Sequence, residues 1–176
     1  MMTAAGVTVS ASSMVVVSGA KVDVDAKGFN SQSGPGTPAA WGHYCNNHGY
    51  DRSTSGGGAA HGGDGSGSCH KSGCALSYPG GGTSYGSATW PVLFGSGGGQ
   101  AYYNRAGHGR GGRGGGRIHV TTSGALAMNG IMTANGQNGI FLDGSNAYDF
   151  TGGGGSGGSV LIEADTLTGS GTIRAN

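Results

Sequence analysis

The sequence predicts an all-β fold built by stacking a short repeated unit. A unit of about 20 residues occurs three times, over 7–28, 114–136 and 157–176. Apolar and polar residues alternate within each copy, which is typical of short strands that bury one face. Glycine supplies 43 of the 176 residues. Because glycine costs about 1 kcal/mol relative to alanine inside a helix, no helix of useful length is expected.

The middle copy shows the unit most clearly. Its first strand, 118–122, is followed by a break at Ser123–Gly124 and then by a second alternating stretch. Asn129–Gly130 and Asn135–Gly136 predict turns, because Asn and Gly tolerate positive φ at low cost. The residues predicted to face inward are Ile118, Val120, Leu126 and Met128 in this copy, Val7, Val9, Val15, Val17, Val22 and Val24 in the first copy, and Val160, Ile162, Leu167 and Ile173 in the third.

Two constant offsets predict how the copies align. An offset of 111 residues pairs Val7, Val9, Val15 and Val17 with Ile118, Val120, Leu126 and Met128, and an offset of 42 pairs Ile118 and Ile131 with Val160 and Ile173. One unit buries too little apolar surface to fold alone, whereas stacked units form a continuous interior. We therefore predict a right-handed parallel β-helix, or β-solenoid, with glycine-rich loop excursions. A β-sandwich of hairpins uses the same strands and is the alternative.

Two excursions, 29–113 and 137–158, separate the copies within one predicted domain that spans 1–176. Glycine runs precede the second and third copies at equivalent places, 114–116 and 152–158. These glycines either lie in extended left-handed polyglycine strands, where side chains would clash, or form flexible linkers. Since neither end of the chain shows a polar cap, we expect a segment of a longer solenoid.

Composition excludes several classes of function. The formal net charge is +1, and charged residues make up only 10% of the chain, so no overall electrostatic attraction to nucleic acid is expected. An RGG-like stretch at 108–117 could bind RNA, but it leads directly into a repeated strand and is interpreted as a structural turn. No stretch reaches the roughly 18 apolar residues of a membrane span, so none is expected.

Three glycine-rich stretches carry a resemblance to a known group of proteins: GGGRIHVTTSGALAMNGIMTANG, GGGGSGGSVLIEADTLTGSGTIRAN and YGSATWPVLFGSGGG. They resemble the glycine-rich repeats of very large extracellular right-handed β-helix proteins. The resemblance covers most of 80–176 and weakly 7–28, whereas 29–79 departs from it through its Cys and His content. It implies an extracellular or cell-surface structural role, such as a filament component or an adhesin, and it brings no catalytic motif.

The cysteines lie together in the long excursion. Cys45, Cys69 and Cys74 allow three single disulfide bridges, and their spacing does not select one. A bridge would suit an extracellular protein with a thin core. The alternative is a zinc site, whose candidate ligands are Cys45, His48, Cys69, His70 and Cys74. Because the chain contains no C-x-x-C pair, a metal site is the weaker prediction, and no cofactor is expected.

No catalytic motif is recognised, and we predict that the chain is not an enzyme. Asp23 and Asp25 point outward on the first copy and are interpreted as solvated strand residues. His43, His48, Asp64 and Ser66 contain triad residue types, but no G-x-S-x-G elbow accompanies them.

Two functions remain open from the sequence. The first is a structural subunit of a filament or surface appendage that self-associates through strand edges, which are templates for further pairing, and through glycine-rich faces. The second is an adhesion or carbohydrate-binding module, in which aromatic rings stack on sugars. Its candidate aromatic residues are Trp41, Tyr44, Tyr50, Tyr102 and Tyr103. The same aromatic residues could instead cover the flank of a narrow core.

Overall fold

The computed structural model describes residues 6–38, 53–54, 56–67, 80–103, 106–141 and 151–176. For 53–54, 102–103 and 106–108 it describes the backbone alone. Every regular element in this part of the chain is a β-strand, so the all-β prediction is confirmed. In chain order the strands are β1 (Gly6–Ala11), β2 (Met14–Val16), β3 (Lys21–Asp23), β4 (Ser53–Thr54), β5 (Ala101–Tyr103), β6 (Ala106–Arg110), β7 (Arg117–Thr122), β8 (Ala125–Met128), β9 (Ile131–Thr133), β10 (Ile140–Phe141), β11 (Ser159–Glu163), β12 (Thr166–Thr168) and β13 (Thr172–Arg174).

Nine of these strands form three parallel sheets with the same internal order. Sheet 1 is β1-β7-β11, sheet 2 is β2-β8-β12 and sheet 3 is β3-β9-β13. Each sheet takes one strand from each copy of the repeat, and the middle copy supplies the central strand every time. All six pairings are parallel. The three copies therefore stack on one another in chain order.

The register in sheet 1 agrees with the predicted offsets. Val7 pairs with Ile118 and Val9 with Val120, and on the other side Val160 also pairs with Ile118. In sheet 2 the prediction for the first copy is wrong by one residue, because Met14, not Val15, pairs with Leu126.

This one-residue error changes which valines are buried. Val16 is buried, whereas Val15 and Val17, both predicted inward, are about 60% exposed (63% and 59%). The first copy has one residue fewer than the middle copy between its first and second strands. Since side chains alternate with a period of two, a shift of one residue moves each side chain to the opposite face.

The third strand shows the same kind of correction. Ile173 pairs with Met132, not with Ile131 as predicted, and Val22 pairs with the same methionine from the other side. Met132 is fully buried, whereas Ile131 points outward and is exposed. The offset between the second and third copies is thus 42 residues in sheet 1 and 41 in sheets 2 and 3.

The apolar core lies between the three parallel sheets and is deepest at the middle copy. The predicted inward positions of that copy are confirmed, since Ile118, Val120 and Leu126 are fully buried and Met128 is nearly so. The buried cluster consists of Val16, Val24, Ile118, Val120, Leu126, Met128, Met132 and Ala134. Apart from Val16 and Val24, the inward residues of the outer copies are only partly covered or exposed, because each outer copy has a neighbouring copy on one side alone.

Beside these sheets the glycine-rich segments form a second packed region, here called the glycine bundle. Its segments are 28–37, 56–60, 95–99, 111–116, 134–137 and 151–158. Gly97, Gly98 and Gly99 donate backbone hydrogen bonds to three different segments, at Ser33, Gly112 and Gly57. Because three successive residues bond to three different neighbouring segments, the chain here has the geometry of an extended helix with three residues per turn, as in polyproline II.

The contacts between two bundle segments also repeat every third residue. Gly95 donates to Gly115 at 2.9 Å, and Gly98 donates to Gly112 at 2.9 Å. The same period relates the donors Gly112 and Gly115, which bond Gly153 and Ser156. Of the two alternatives left open by the sequence, the structure places these glycine runs in hydrogen-bonded extended segments.

Close approach, rather than backbone conformation, explains why glycine is needed here. A Cβ built on Gly98 would overlap the backbone carbonyl of Gly153, and one on Gly112 would overlap that of Gln137. Neither glycine has positive φ, so their backbone conformation does not itself require glycine. The same requirement makes glycine the residue at the crowded axis of collagen.

The two excursions also contain regular structure that the sequence interpretation treated as loop. Sheet 4 is antiparallel, with the order β10-β6-β5-β4. Its strands are short, and a register irregularity lies between Ala101 and Tyr102.

Residues 85–94 are anchored against the bundle and sheet 1. The ring of Phe94 meets that of Phe29 edge to face, and the Arg117 guanidinium lies over the same Phe94 ring at 5.6 Å. The buried Ser159 hydroxyl donates to the Leu93 carbonyl at 2.6 Å. Within this stretch the Trp90 side chain is 51% exposed.

Candidate assembly interface

The three parallel sheets end at two open edges. The third-copy edge is formed by β11, β12 and β13, and the first-copy edge is formed by β1, β2 and β3. In the described part of the chain, no strand pairs with the outer side of either edge. Edge strands present unpaired N–H and C=O groups that favour pairing with another strand. The two edges are therefore candidate interfaces.

The third-copy edge exposes side chains of the core. Leu167 pairs with Leu126 and Ile173 pairs with Met132. Leu126 and Met132 are fully buried, whereas Leu167 is 55% exposed and Ile173 is 41% exposed. Both were predicted inward, and their positions in the sheets agree with that prediction. Their exposure follows from the lack of a further layer over them.

The first-copy edge lies on the other side of the same buried residues of the middle copy. Met14 lies beside Leu126 in sheet 2, and Val22 lies beside Met132 in sheet 3. Both side chains are partly exposed and pack against the core. The two edges thus carry apolar residues at matching positions.

Charged residues at the two edges also match. Asp23 and Arg174 both pair with Thr133, from opposite sides. The Lys21 Nζ lies 2.6 Å from Asp23 Oδ2, and this hydrogen bond lowers the pKa of Asp23 and raises that of Lys21. The carboxylate of Asp23 is therefore charged over a wide pH range.

Asp25 has a structural contact that the sequence interpretation did not anticipate. Its Oδ1 accepts the backbone N–H of Asn135 at 2.7 Å. The bond links the first copy to the middle copy just beyond sheet 3. Asp25 therefore contributes a hydrogen bond between two copies of the repeat, in addition to being partly exposed to solvent.

A hydrogen-bonded group of polar side chains lies on the outer face of sheet 1. His119 Nε2 donates to Glu163 Oε2 at 2.7 Å, and the Thr121 hydroxyl donates to the same oxygen at 3.2 Å. The hydrogen bond from His119 lowers the pKa of Glu163. The exposed Trp90 ring meets His119 edge to face, with ring centroids 6.1 Å apart. Sequence reasoning missed this group, although oppositely charged residue types on neighbouring copies were a usable signal.

Most candidate site residues named from the sequence lie outside the described residues. This holds for Cys45, His48, Cys69, His70 and Cys74 and for Trp41, Tyr44 and Tyr50. Tyr102 and Tyr103 lie in β5, but their side chains are not described. Within the described residues, no three His, Cys, Asp or Glu side chains are grouped as metal ligands would be. The disulfide, metal and aromatic predictions therefore stay predictions.

Comparisons of the chain with models of known protein families, with curated proteins and with solved structures found no match. The resemblance to extracellular β-helix repeats therefore stays an expectation from the sequence. The described residues contain no helix with the length and apolar character needed to cross a membrane.

Proposed function

We propose that the chain is a structural segment of a right-handed parallel β-helix and that it assembles end to end with further copies of itself. The β-helix interpretation is supported by the shared strand order of the three parallel sheets, with one strand of each sheet coming from each copy. The right-handed sense is supported by the general preference of parallel strand crossovers, about 98% of which are right-handed. The proposed place of this element is extracellular or at the cell surface, as its sequence resemblance implies.

The observation that carries the assembly proposal is the match between the two edges. If a second copy continues the register that relates the three copies within one chain, its Met14 lies over Leu167 and its Val22 lies over Ile173. Both contacts join partly exposed apolar side chains. Burying them would gain roughly 25 cal/mol per Å² of apolar surface.

The same register brings opposite charges together. Asp23 of the next copy would lie directly beside Arg174, because both occupy the position of Thr133. Such cross-strand charge pairs contribute roughly 0.2–1 kcal/mol and disfavour other registers. A second copy of this chain is therefore a better occupant than an unrelated apolar surface.

A head-to-tail interface of this kind is heterologous, and it produces an open filament when rotation does not close a ring. The role proposed for the chain is mechanical and requires no catalysis. The second possibility from the sequence, adhesion through the aromatic excursion, rests on residues outside the described side chains and gains no support here.

The test is sedimentation velocity over a concentration series, together with cryo-electron microscopy of the largest species. We expect concentration-dependent polymers whose rungs are about 4.8 Å apart and continue from one subunit into the next. A monodisperse monomer at all concentrations would overturn the proposal.

Charge variants test the proposed register. Arg174→Asp places two acidic residues together and should weaken association by roughly tenfold. The double variant Asp23→Arg with Arg174→Asp restores opposite charges and should recover most of the loss. Arg113→Asp is a matched control, because Arg113 is an exposed arginine in the glycine bundle and not on either edge. If the double variant associates no better than Arg174→Asp alone, the register is wrong.

A further inference from the structure

A cleft of about 610 Å³ lies where the glycine bundle meets the 84–91 stretch. Its walls come from Ala59, 61–64, 84–88, Pro91 and 156–158, together with Ala175. Clefts that bind small molecules typically have volumes of about 300–1,000 Å³. The cleft adjoins the third-copy edge, because Gly158 directly precedes β11 and Ala175 directly follows β13.

The fold fixes one imidazole ring in the wall of the cleft. His61 is only 9% exposed, and its Nδ1 lies 3.0 Å and 3.1 Å from the carbonyl oxygens of Gly157 and Gly158. Carbonyl oxygens only accept, so Nδ1 carries a proton and donates it. The Tyr85 ring covers one face of the imidazole, with centroids 4.8 Å apart.

The other ring nitrogen of His61 is available to a ligand. In the neutral ring Nε2 is an acceptor, because Nδ1 holds the proton. Among the described residues, Nε2 has no hydrogen-bond partner, and it lies next to Gly86 in the cleft wall. A Cβ built on Gly86 would be 3.2 Å from Nε2. An oriented acceptor on a nine-tenths buried residue, which no described residue uses, points to a ligand with a donor group.

Asp64 supplies a second acceptor. Its Oδ1 accepts the backbone N–H of Ser84 at 2.7 Å, and this bond holds the pKa of the carboxyl below its usual range. Asp64 is the one charged side chain among the described residues that line the cleft. With a carboxylate and no cation, the cleft disfavours anions and favours ligands that donate hydrogen bonds.

The remaining walls are small and partly apolar. Ala59, Ala88 and Pro91 offer apolar carbon atoms, and Ser84 and Ser87 offer hydroxyl groups. A pyranose ring matches this combination, since it presents several hydroxyl donors around its rim and C–H groups on its faces. A phosphate or carboxylate ligand would lack donors and would face Asp64.

We propose that this cleft binds a neutral saccharide of one or two pyranose residues, with Asp64 and His61 Nε2 accepting its hydroxyl groups. The site differs from the aromatic excursion predicted from the sequence.

The test uses a panel of neutral sugars: glucose, galactose, mannose, N-acetylglucosamine and cellobiose. Binding is followed by saturation-transfer NMR and quantified by isothermal titration. We expect at least one sugar to bind saturably with a Kd of about 1 mM or tighter. No binding by any of the five would overturn the proposal. Tighter binding of butylammonium than of every sugar would also overturn it, since it would identify a cation site.

Variants locate the site. Asp64→Asn keeps an oxygen for the Ser84 N–H but removes the charge, and it should weaken sugar binding by roughly tenfold or more. Ala88→Trp should block the cleft, whereas Thr89→Trp, at the next exposed position outside the lining, should leave binding unchanged. Binding that survives both Asp64→Asn and Ala88→Trp would place the sugar elsewhere and refute the assignment.

A direct readout covers the case in which Ala88→Trp fails to fold. The ¹⁵N chemical shift of His61 Nε2 in the wild-type protein reports whether that nitrogen gains a hydrogen bond. A shift on saturation with the bound sugar is expected. An unchanged signal at saturation would exclude His61 as an acceptor and contradict the proposal.

Discussion

Leu126 and Leu167 are neighbours in paired parallel strands, yet Leu126 is fully buried and Leu167 is 55% exposed. The two side chains occupy the same column and point toward the same interior. Leu126 has a copy of the repeat on both sides, whereas Leu167 has one on a single side. The difference between them is therefore a measure of what a further layer would cover.

The difference in burial between Leu126 and Leu167 predicts that truncation to alanine lowers stability by unequal amounts at the two positions. In dilute solution, Leu126→Ala should lower the free energy of unfolding by about 2–5 kcal/mol, because it leaves a cavity in the core. Leu167→Ala removes a half-exposed side chain and should cost less than about 1.5 kcal/mol. Urea unfolding followed by circular dichroism measures both. Equal losses would mean that Leu167 is covered in the isolated chain.

Glycine at the bundle contacts leads to a second prediction. Gly98→Ala forces a methyl group against the Gly153 carbonyl, and overpacking of this kind typically costs about 1–3 kcal/mol. Gly80→Ala is the matched control, because a Cβ there meets no atom of the described residues within 4 Å. We expect Gly80→Ala to be neutral or to stabilise the chain by up to about 1 kcal/mol through the unfolded state. Thermal unfolding of the two variants compares them, and similar behaviour would show that the bundle contacts do not contribute to stability.

The hydrogen bond between His119 and Glu163 predicts a pH dependence. The pKa of Glu163 is lowered in the folded chain, so the unfolded chain binds the proton more readily. Glu163 then stabilises the fold above the ordinary glutamate pKa of about 4.3, and this contribution is lost as pH falls through the lowered value. The stability difference between wild type and Glu163→Gln should therefore be present at neutral pH and vanish in strong acid.

Urea titrations at a series of pH values measure that difference. Asp165→Asn is the control, since Asp165 is an exposed carboxylate two residues away. The effect should be small because Glu163 is partly exposed and the pair is screened by solvent. A difference that is constant from neutral pH to strong acid would exclude the ionised carboxylate as its source.

The sequence was sufficient for the strands of the three repeat copies and for the register of sheet 1, but not for the strands of sheet 4. Alternation of β-branched residues identified the strands, and Val7, Ile118 and Val160 are paired as their spacing predicts. The prediction failed at Val15 and Val17 because the link before β2 is one residue shorter than its counterpart before β8. A constant offset cannot detect such a change, and alternation converts it into an exchange of faces.

The candidate sites were less predictable. The match between Asp23 and Arg174 depends on the true register of sheet 3, which the offset of 42 residues missed by one. The imidazole of His61 is placed by carbonyl groups almost 100 residues away in the chain. Backbone contacts of this kind leave no residue pattern, because glycine supplies both the carbonyl groups and the space around them.

A buried hydroxyl chain gives the last prediction. Ser96 is fully buried; its Oγ accepts the backbone N–H of Gly36 at 2.9 Å and donates to the Tyr85 hydroxyl at 2.8 Å. Tyr85 in turn donates to the carbonyl of Phe94, and burial raises the pKa of Tyr85. Ser96→Ala leaves the Gly36 N–H without a partner and should cost about 1–3 kcal/mol.

Tyr85→Phe breaks the same chain one link further on, so the two losses should not add. In a double-mutant cycle we expect the combined variant to be less destabilised than the sum of the single variants by about 0.5 kcal/mol or more. Urea unfolding of the four proteins supplies the cycle. Simple additivity would mean that Ser96 and Tyr85 act independently and that their hydroxyl groups are not coupled through the observed hydrogen bond.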